Sequence, residues 1–358
     1  MAQLIINNTV FSFEAIAHMH QEAVTALPAW QQSIVAFVKD WFAATPTIEV
    51  KTSGSTGKPK LIQLEKQSVI NSALITASYL QLHRGTQALL ALSADYIAGK
   101  MMLARAMVNE WDLFCIEPSH ISLLGLPPIQ FTALVPLQIA RLASNPLELE
   151  HLKQIDKVII GGASISDALQ KLLADFPNEV YETFGMTETI SHIAMRRLSG
   201  KVAPYFETVD TNIILGQDDR DCLVVIANAL NPQPIVTNDV VEMVDERRFK
   251  WLGRVDNVIN TGGVKIIAEE WESRIASAIK HRYIAAAKSD KELGQKLILI
   301  IESNTYSENE LQALKDALSK LLIRYEMPKE YYFIQKLNET ANQKIDRKAT
   351  LRSLGLSE

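Results

Sequence analysis

Residues 51–60, KTSGSTGKPK, decide how the rest of the chain is interpreted, because every one of them is small, hydroxylic, basic or turn-forming. Backbone N–H groups and hydroxyls in such a run can turn toward one anion, and the lysines add positive charge around it. The residues that would do so are Thr52, Ser53, Gly54, Ser55, Thr56, Gly57, Lys58 and Lys60. A run of this composition is also typical of a flexible surface linker. The stretch therefore predicts a phosphate-binding loop or a linker, and other segments must decide between them.

The spacing within this stretch excludes the most common nucleotide-binding loop. A P-loop has four residues between its two glycines, followed by Lys and Ser or Thr. Here Gly54 and Gly57 are too close together, and Pro59 follows Lys58. If the stretch binds phosphate, it belongs to another class of site.

Length and composition indicate an ordinary globular protein that acts on small molecules. The chain has 358 residues, 47% of them hydrophobic, which is enough for two or three domains with a large core. Its 36 basic and 41 acidic residues give a net charge of -5. No basic field favours nucleic acid or an anionic membrane as a partner. The sequence predicts no oligomeric state.

The cysteines and the N-terminus favour a cytoplasmic location. Cys115 and Cys222 lie in apolar, strand-like runs, so we expect buried thiols rather than a disulfide or a zinc site. The first residues lack a basic segment followed by a long apolar run, and no window reaches 18 uninterrupted apolar residues. We therefore expect neither secretion nor a membrane span.

Alternating helical and strand-like segments between residues 68 and 184 predict an α/β domain with a large buried sheet. The expected helices are 68–79, 99–109, one after Pro136, and 166–175, and the expected strands are 88–92, 112–116, 132–135, 157–162 and 179–184. From about Val209 short strands and turns predict a small β subdomain. We expect this N-terminal domain to span residues 1–254.

The remaining residues, 255–358, predict a small α+β domain. Its expected elements are a turn at 261–263, a helix at 268–280, a strand at 296–303, a helix at 308–323, a strand at 331–337 and a polar tail. A boundary near residue 254 would make this domain a lid on the first one.

Five segments, taken in order, resemble the adenylate-forming (AMP-binding) acyl-CoA synthetase superfamily. They are TSGSTGKPK (52–60), TFGMTET (183–189), TNDVVE (237–242), GRVDNVINTGGVKI (253–266) and NQKIDRKA (342–349). The resemblance implies a large N-terminal domain and a small, mobile C-terminal domain. It also implies that ATP activates a carboxylic acid as an acyl adenylate, which then forms a thioester with coenzyme A.

The resemblance assigns a nucleotide site to residues that suit it chemically. It implies that the loop 52–60 holds the ATP phosphates, and that Glu188 and Thr56 hold Mg²⁺, for which a carboxylate is a suitable ligand. Adenine would stack on Phe184, with Thr183, Gly185, Thr187, Gly161 and Gly162 around it. Asp239 and Arg254 would bind the ribose hydroxyls. A packed core for Phe184 and a surface ion pair for Asp239 and Arg254 are the alternatives.

The resemblance also assigns catalytic and mobile parts to the C-terminal region. Lys344 would stabilise charge on the α-phosphate, as a catalytic residue with Glu188 and Thr56. Asp256 would lie at the hinge, and Gly262 and Gly263 would line the coenzyme A channel, although a tight hairpin turn also uses glycines. Gln343 stands where the family usually has glycine, and about fifty residues precede the phosphate loop where typical members have over a hundred.

The shortened front and the loop TSGSTGKPKLI resemble the o-succinylbenzoate-CoA ligase branch, which acts in menaquinone biosynthesis. Aligning LSADYIAGK by its glycine puts Tyr96 in the acyl pocket. Lys100 and Arg105, on the helix expected after LSADYIAG, form a separate hypothesis as partners of the second carboxylate of that acid. A solvated helix face, or an ion pair with Glu110, is the alternative. Other small aromatic or aliphatic acids, transfer to a carrier-protein thiol, and a non-catalytic adenylate-binding protein stay open.

Overall fold

The structure is a computed structural model that describes residues 2–51, 61–339 and 345–356. The predicted phosphate loop 52–60 and the predicted catalytic Lys344 lie outside the described residues. The chain divides into two compact units, each described by itself below. Unit 1 consists of Met1–Leu215, Val225–Ile235 and Val244–Phe249, and unit 2 of Gly216–Val224, Val236–Met243 and Lys250–Glu358.

A parallel sheet forms the centre of unit 1. Its strands lie in the order β1 (Gln3–Ile6), β6 (Asp112–Cys115), β5 (Gln87–Leu90), β7 (Phe131–Leu134), β8 (Lys157–Ile160) and β9 (Glu179–Gly185). These neighbours pair in parallel. The antiparallel strands β2 (Thr9–Ser12), β10 (His192–Arg197) and β11 (Phe206–Thr208) extend the sheet at its two sides.

Helices cover the central strands, which explains their nearly continuous apolar sequence. All four residues of β7 are buried, and so are three of the four in β5. The helices are α1 (Phe13–Ala17), α2 (Gln21–Thr25), α3 (Ala29–Phe42), α4 (Lys66–Tyr79), α5 (Ile97–Asn109), α6 (Pro136–Ala143), α7 (Pro146–Lys153) and α8 (Asp167–Ala174). Leu89, Leu134 and Ile160 of the strands pack in one cluster with Ile139 of α6 and Leu173 of α8.

A separate hairpin in unit 1 flanks the predicted phosphate loop. It consists of β3 (Thr47–Lys51) and β4 (Leu61–Glu65), which pair antiparallel with Lys51 opposite Leu61. The residues on either side of 52–60 are therefore held next to each other. Neither strand of this hairpin was predicted from the sequence.

The region predicted as a β subdomain contains four consecutive strands. They are β12 (Ile214–Gln217), β13 (Cys222–Ala227), β14 (Asn231–Asp245) and β15 (Arg248–Arg254), and they lie side by side in this order. Some residues of these strands belong to unit 1 and the others to unit 2. The prediction that strands and turns dominate this region is confirmed.

Unit 2 contains a five-stranded sheet with helices on both faces. The strands are β16 (Val258–Thr261), β17 (Val264–Ile267), β18 (Tyr283–Asp290), β19 (Gly294–Glu302) and β20 (Glu330–Ile334). Alternate residues of β19 face two clusters, since Leu297 and Leu299 pack with Trp271 of α9 (Ala268–Ile275) and Leu314 of α10 (Glu308–Ser319). The residues between them pack with Leu351 of α11 (Arg347–Ser353).

The predicted α/β class is confirmed, while several elements differ from the sequence prediction. The helix expected at 268–280 ends at Ile275 and is followed by a 3-10 turn at Ala276–Ala278. The strand β18 and the helix α7 were not predicted. The expected polar tail contains the helix α11, which Asp346 caps by accepting a hydrogen bond from the Ala349 N–H at 2.8 Å.

Two expectations from composition can be compared with the described part of the chain. Cys115 and Cys222 are both free and buried, as predicted. Burial raises the pKa of both thiols. None of the helices in the described ranges is long and apolar enough to cross a membrane.

Candidate functional site

In unit 1, the predicted site residues follow the carboxyl ends of parallel strands. Gly161 and Gly162 come directly after β8, Gly185 ends β9, and the segment that contains Tyr96 follows β5. Open α/β sheets usually bind ligands at this edge. The topology therefore brings segments distant in sequence to one edge of the sheet.

Close packing of the backbone explains two of the predicted glycines. A Cβ on Gly161 would overlap the hydroxyl of Thr183, which donates a hydrogen bond to the Ile160 carbonyl at 3.1 Å. A Cβ on Gly185 would overlap the backbone of Ser191 and His192. The antiparallel strands β9 and β10 thus pack closely at Gly185, and the loop 186–191 connects them.

That loop holds Glu188 in a short 3-10 turn, Thr187–Thr189. The hydroxyl of Thr189 contacts the Met186 N–H at 2.9 Å and the Ser191 carbonyl at 2.7 Å, so it ties both ends of the loop together. Ile190 has φ 66° and ψ -56°, and the Ser191 N–H bonds the Thr189 carbonyl at 2.7 Å. This is a strained γ-turn for a β-branched residue, and such strain is concentrated at functional sites.

Phe184, the predicted adenine platform, is half-buried in an aromatic group. Its ring centroid lies 5.0 Å from that of Phe249, edge to face, and 5.9 Å from that of Phe206. The packed-core alternative and the stacking role both fit a ring fixed in this way. Its role as a platform stays a prediction.

Arg105 is a buried cation without a carboxylate partner among the described residues. It is 2% exposed, and its guanidinium donates hydrogen bonds to the Ser191 hydroxyl at 2.7 Å and the Thr76 hydroxyl at 3.3 Å. Burial lowers the pKa of Arg105 to about 9. The side chain comes from α5, whereas Ser191 directly follows the strained Ile190.

His192 completes this buried network. Its Nε2 lies 3.0 Å from the Thr76 hydroxyl, which itself donates to the Ser72 carbonyl at 3.0 Å. Because that hydroxyl proton is committed to Ser72, the hydroxyl oxygen accepts from His192, which assigns the neutral Nε2–H tautomer. Burial first, and then the charge of Arg105, lowers the pKa of His192 well below 6.5.

Lys100 and Tyr96 have other surroundings. The Lys100 ammonium donates to the Glu49 carbonyl of β3 at 2.7 Å and lies 5.8 Å from the centre of the Phe37 ring. Burial lowers its pKa. Glu110, the alternative partner, pairs with Arg84 at 3.2 Å. Tyr96 is 41% exposed and directly precedes α5.

In unit 2, the structure brings the predicted ribose-binding residues together. Asp239 is 8% exposed, and its Oδ2 accepts from Arg254 Nη1 at 3.4 Å. Its Oδ1 accepts from the Trp251 indole N–H at 3.0 Å. Burial raises the pKa of Asp239, against the lowering effects of Trp251 and Arg254. The strands β14 and β15 therefore present a desolvated carboxylate beside a guanidinium.

Asp256, the predicted hinge residue, joins the same group. Its Oδ2 accepts from Arg254 Nη2 at 3.1 Å and from the Asn238 amide at 3.5 Å. Arg220 in turn donates to the Asn238 side chain at 3.1 Å. Arg254 is thus held between two carboxylates, one buried and one exposed.

The remaining predicted residues lie at turns or outside the described ranges. Gly262 and Gly263 form the two-residue turn between β16 and β17, with φ 56° and 82°, as in a type I′ hairpin. Lys344 lies outside the described residues, but the flanking Glu339 and Ile345 form an antiparallel bridge. The described residues on either side of 340–344 are therefore paired with each other.

The described residues contain no cluster of three or more His, Cys, Asp or Glu side chains able to enclose a metal. Of the residues predicted to hold the metal, Glu188 lies in the described part of the chain and supplies an exposed carboxylate. A single carboxylate fits Mg²⁺, which keeps several waters and is usually held together with substrate phosphates. The donor set therefore fits a nucleotide-bound Mg²⁺ better than a metal held by protein alone.

A cavity of about 600 Å³ lies in unit 1 and contains none of the predicted residues. Its lining includes residues just before β5, β7, β8 and β9, such as Thr86, Gln130 and Asn178. These residues are at the amino ends of the strands, the edge opposite to the segments described above. The chemistry of the side chains places the candidate site at the carboxyl edge.

Sequence reasoning missed three residues that hold predicted ones, and a fourth, His192, that contacts the Thr76 hydroxyl beside Arg105. The three are Trp251, Ser191 and Glu269. Trp251 had a signal, since an indole N–H two residues from a motif glycine needs a partner when buried. The others lie in or near the quoted motifs without a chemical pattern of their own. Only the fold shows what they contact.

Comparison with known proteins gives matches over most of the chain. The sequence profile of the family described as AMP-binding enzyme matches residues 50–215. A solved chain, described as an acyl-CoA synthetase (AMP-forming)/AMP-acid ligase II-like protein from Dyadobacter fermentans, is 34% identical with a TM-score of 0.63. That similarity covers 96% of this chain and 99% of the other.

Two further proteins are similar at lower identity. A probable 2-succinylbenzoate–CoA ligase of Mycobacterium tuberculosis is 25% identical over 92% of this chain and 91% of its own length. The o-succinylbenzoate coenzyme A synthetase of Bacillus subtilis, solved with ATP and magnesium ion, is 19% identical with a TM-score of 0.67. This similarity covers 84% of our chain and 69% of the Bacillus subtilis chain, and it supports the fold alone.

Proposed function

This chain belongs to the AMP-binding family of AMP-forming acyl-CoA synthetases, and from that premise we propose that it is an acid–CoA ligase whose acid is o-succinylbenzoate. It would form the acyl adenylate from ATP and the acid, and then the thioester with coenzyme A. This reaction is the thioester-forming step of menaquinone biosynthesis. We also propose a cytoplasmic location.

The group of Asp239, Trp251 and Arg254 is the observation that carries the proposal of nucleotide activation. The buried carboxylate of Asp239 accepts hydrogen bonds, and the guanidinium of Arg254, 3.4 Å away, donates several in one plane. An acceptor beside a group of donors suits the two adjacent hydroxyls of a ribose. Surface ion pairs seldom involve a carboxylate that is 8% exposed and also bonded to an indole. We therefore assign this group to the ribose of ATP.

In the first step, a carboxylate oxygen of the acid attacks the α-phosphorus, and pyrophosphate leaves. In the second step, the thiol of coenzyme A attacks the acyl carbonyl, loses its proton, and AMP leaves. Both reactants in the first step are anions, so positioning and charge neutralisation provide most of the rate enhancement. We propose that residues 52–60 and Lys344 supply this positive charge, and that Phe184 holds adenine.

Magnesium would be held by Glu188, with Thr56 nearby, and would neutralise phosphate charge. The carboxylate of Glu188 stands in a loop whose ends are tied by the Thr189 hydroxyl. We propose that this tie keeps Glu188 in place. Gly262 and Gly263 would line the coenzyme A channel, and Asp256 would be the hinge of a domain boundary near residue 254.

The names of the relatives and the charge of Arg105 support the choice of acid. o-Succinylbenzoate keeps one free carboxylate while the other is activated, so its site needs a cation. Arg105 is that cation in our proposal, because hydroxyls and a sulfur are its only described side-chain partners. Lys100 is the weaker candidate, since its ammonium already bonds the Glu49 carbonyl.

The experiment measures AMP and pyrophosphate release with Mg-ATP, coenzyme A and o-succinylbenzoate, beside benzoate, acetate and a medium-chain fatty acid. Rapid turnover that requires coenzyme A and occurs with o-succinylbenzoate alone would support the whole proposal. Turnover with another acid would keep the mechanism and remove the pathway. If no acid leads to AMP release, the proposal is contradicted, and carrier-protein transfer or a non-catalytic role is favoured.

Two variants test the pocket separately. Arg105→Lys keeps a positive charge but loses the fork of donors, so it should raise the KM for o-succinylbenzoate and leave the KM for ATP unchanged. Lys100→Ala should turn over at the wild-type rate. A large loss in Lys100→Ala with normal activity in Arg105→Lys would reverse the assignment of the two cations.

A further inference from the structure

Glu269, in the first turn of α9, lies against the turn that carries Arg254. Its Oε2 accepts a hydrogen bond from the Arg254 backbone N–H at 3.2 Å, and its Oε1 accepts from the Asn257 side-chain amide. The carboxylate therefore contacts the turn 253–257 at two points. Its side chain is 15% exposed.

Gly253 permits this contact. A Cβ at this position would overlap the Glu269 carboxylate and the Ile267 side chain. Only glycine lets the carboxylate approach the backbone so closely. The contact with Glu269 of α9 thus explains the glycine before Arg254.

From these contacts we infer that Glu269 is a positioning residue for Arg254. The Arg254 guanidinium lies between Asp239 and Asp256, so its direction depends on where the main chain leaves β15. Glu269 fixes the main chain at that point, and fixes Asn257 at the far end of the 3-10 turn Val255–Asn257. This inference rests on the proposed function, in which Arg254 binds the ribose.

A carboxylate is needed for this role because both of its oxygens face donors. Oε2 faces the Arg254 N–H, while Oε1 faces Asn257 and lies 3.5 Å from Arg347 Nη2. A glutamine has one acceptor oxygen and one NH₂ group. In either orientation, the NH₂ group would face a donor, so Glu269→Gln disrupts the contact with almost no change in size.

Arg347 limits the movement of the Glu269 carboxylate. It donates two hydrogen bonds to Glu272 at 2.6 and 2.7 Å and a third to the Ala285 carbonyl at 2.8 Å. A guanidinium held at three points cannot follow a displaced Glu269 without losing other bonds. The turn that carries Arg254 is therefore fixed, through one carboxylate, to the start of α11.

The test is a double-mutant cycle on the Kd of the full chain for Mg-ATP, measured by calorimetry. Glu269→Gln should weaken binding about tenfold, the effect of one hydrogen bond to a charged group. Arg254→Ala should weaken it at least as much. The double variant should match Arg254→Ala within about twofold, because Glu269 acts through the side chain that is already missing.

Glu270→Gln is the matched control, since Glu270 is next in the chain and makes none of these contacts; its Kd should equal that of the wild type. Asn257→Ala removes one contact without changing α9, and should weaken binding less than Glu269→Gln. Additive effects in the double variant, or a wild-type Kd for Glu269→Gln, would overturn the inference alone. A wild-type chain that does not bind Mg-ATP would overturn the proposed function as well.

Discussion

Both carboxylate oxygens of Asp239 accept hydrogen bonds from side chains in unit 2, one from Trp251 and one from Arg254. A buried carboxylate oriented in this way is ready to accept from a ribose hydroxyl, because it does not have to reorganise on binding. The same desolvation raises its pKa, which makes loss of either donor costly. These features lead to a prediction at the scale of the residue.

Asp239→Ala should weaken Mg-ATP binding through the lost hydrogen bonds. A bond to a charged group contributes about 1.5 to 3 kcal/mol, which corresponds to an increase in Kd of roughly 10- to 150-fold. Glu242→Ala, on the exposed side of the same strand, is the control and should bind normally. If the ATP affinity of Asp239→Ala is unchanged, the ribose assignment is wrong.

Lys344→Ala should separate the two half-reactions. The proposed lysine stabilises charge only while the adenylate forms, so pyrophosphate exchange should be lost and thioester formation from supplied adenylate should persist. Lys348→Ala, an exposed lysine of α11, should leave both rates unchanged. Equal loss of both half-reactions would contradict the proposal that Lys344 acts in adenylate formation alone.

His192 should make stability depend on pH. Its pKa in the folded state is well below 6.5 because of burial and then Arg105, while the unfolded state titrates near 6.5. Below pH 6.5 the unfolded chain binds a proton that the folded chain does not. The free energy of unfolding should therefore fall by about 1.4 kcal/mol per pH unit from this group, down to the folded pKa.

Urea unfolding at pH 7.5, 6.5 and 5.5 measures this dependence. His192→Gln removes the titrating group and keeps an amide donor toward Thr76, so its stability should fall less steeply below pH 6.5. At pH 7.5, where the histidine is neutral in both states, any difference in the free energy of unfolding between the two proteins is unrelated to protonation. Identical slopes for the variant and the wild type would disprove a neutral, buried His192.

At the scale of the element, α11 depends on one ion pair for its position. Arg347 at its first turn bonds Glu272 of α9 through both terminal nitrogens, and burial raises the pKa of Glu272 despite this partner. Leu351, one turn further along on the same face, packs on the sheet of unit 2, and so does Leu354 at the C-cap. The ion pair and the apolar contacts therefore fix one face of the helix along its length.

Arg347→Ala should lower the free energy of unfolding by about 3 to 5 kcal/mol, because it leaves Glu272 buried and without its counter-charge. Urea denaturation followed by circular dichroism measures the loss. Lys348→Ala in the same helix should change stability by less than about 0.5 kcal/mol. A small loss for Arg347→Ala would mean that the apolar contacts alone position α11.

Motif chemistry and apolar periodicity predicted the order of most elements in unit 1, since β5, β7 and β8 are short apolar runs whose residues are mostly buried. They failed where local sequence is ambiguous. In β18 the residues Ala285, Ala286 and Ala287 favour helix by propensity, but pairing with β19 makes them a strand. In α11 the residues before Leu351 are mostly polar, so they show no apolar periodicity that would predict a helix. Tertiary contacts, including those of Arg347, stabilise this helix.

The site shows the same division between what a motif contains and what a fold adds. Asp239 and Arg254 were predicted from the family resemblance, and the structure brings them together. Trp251 and Glu269 hold these two residues, and their partners lie elsewhere in sequence, so no local pattern reports the contact. Ser191 is one example, because its hydroxyl meets a guanidinium 86 positions away.

At the scale of the whole molecule, both hydrophobic clusters of unit 2 are formed within the last third of the chain. Their residues extend from Ile259 to Leu356. We therefore expect the fragment 250–358 to fold by itself, with a cooperative urea transition and dispersed amide resonances. The fragment 294–358, which lacks β16 to β18, is the control and should stay unfolded. A featureless spectrum for 250–358 would show that its core needs the rest of the chain.

The hydrogen bond from Arg254 to Glu269 has a consequence for recombination between relatives. A chimera joined after residue 254 would inherit Asp239, Trp251 and Arg254 from one parent, and Glu269 and Arg347 from the other. Such a hybrid can keep every motif intact and still misdirect the arginine, if the second parent has no carboxylate at position 269. Grafts that move the junction to before Gly216, or that import Glu269 together with the new C-terminal part, should keep nucleotide affinity.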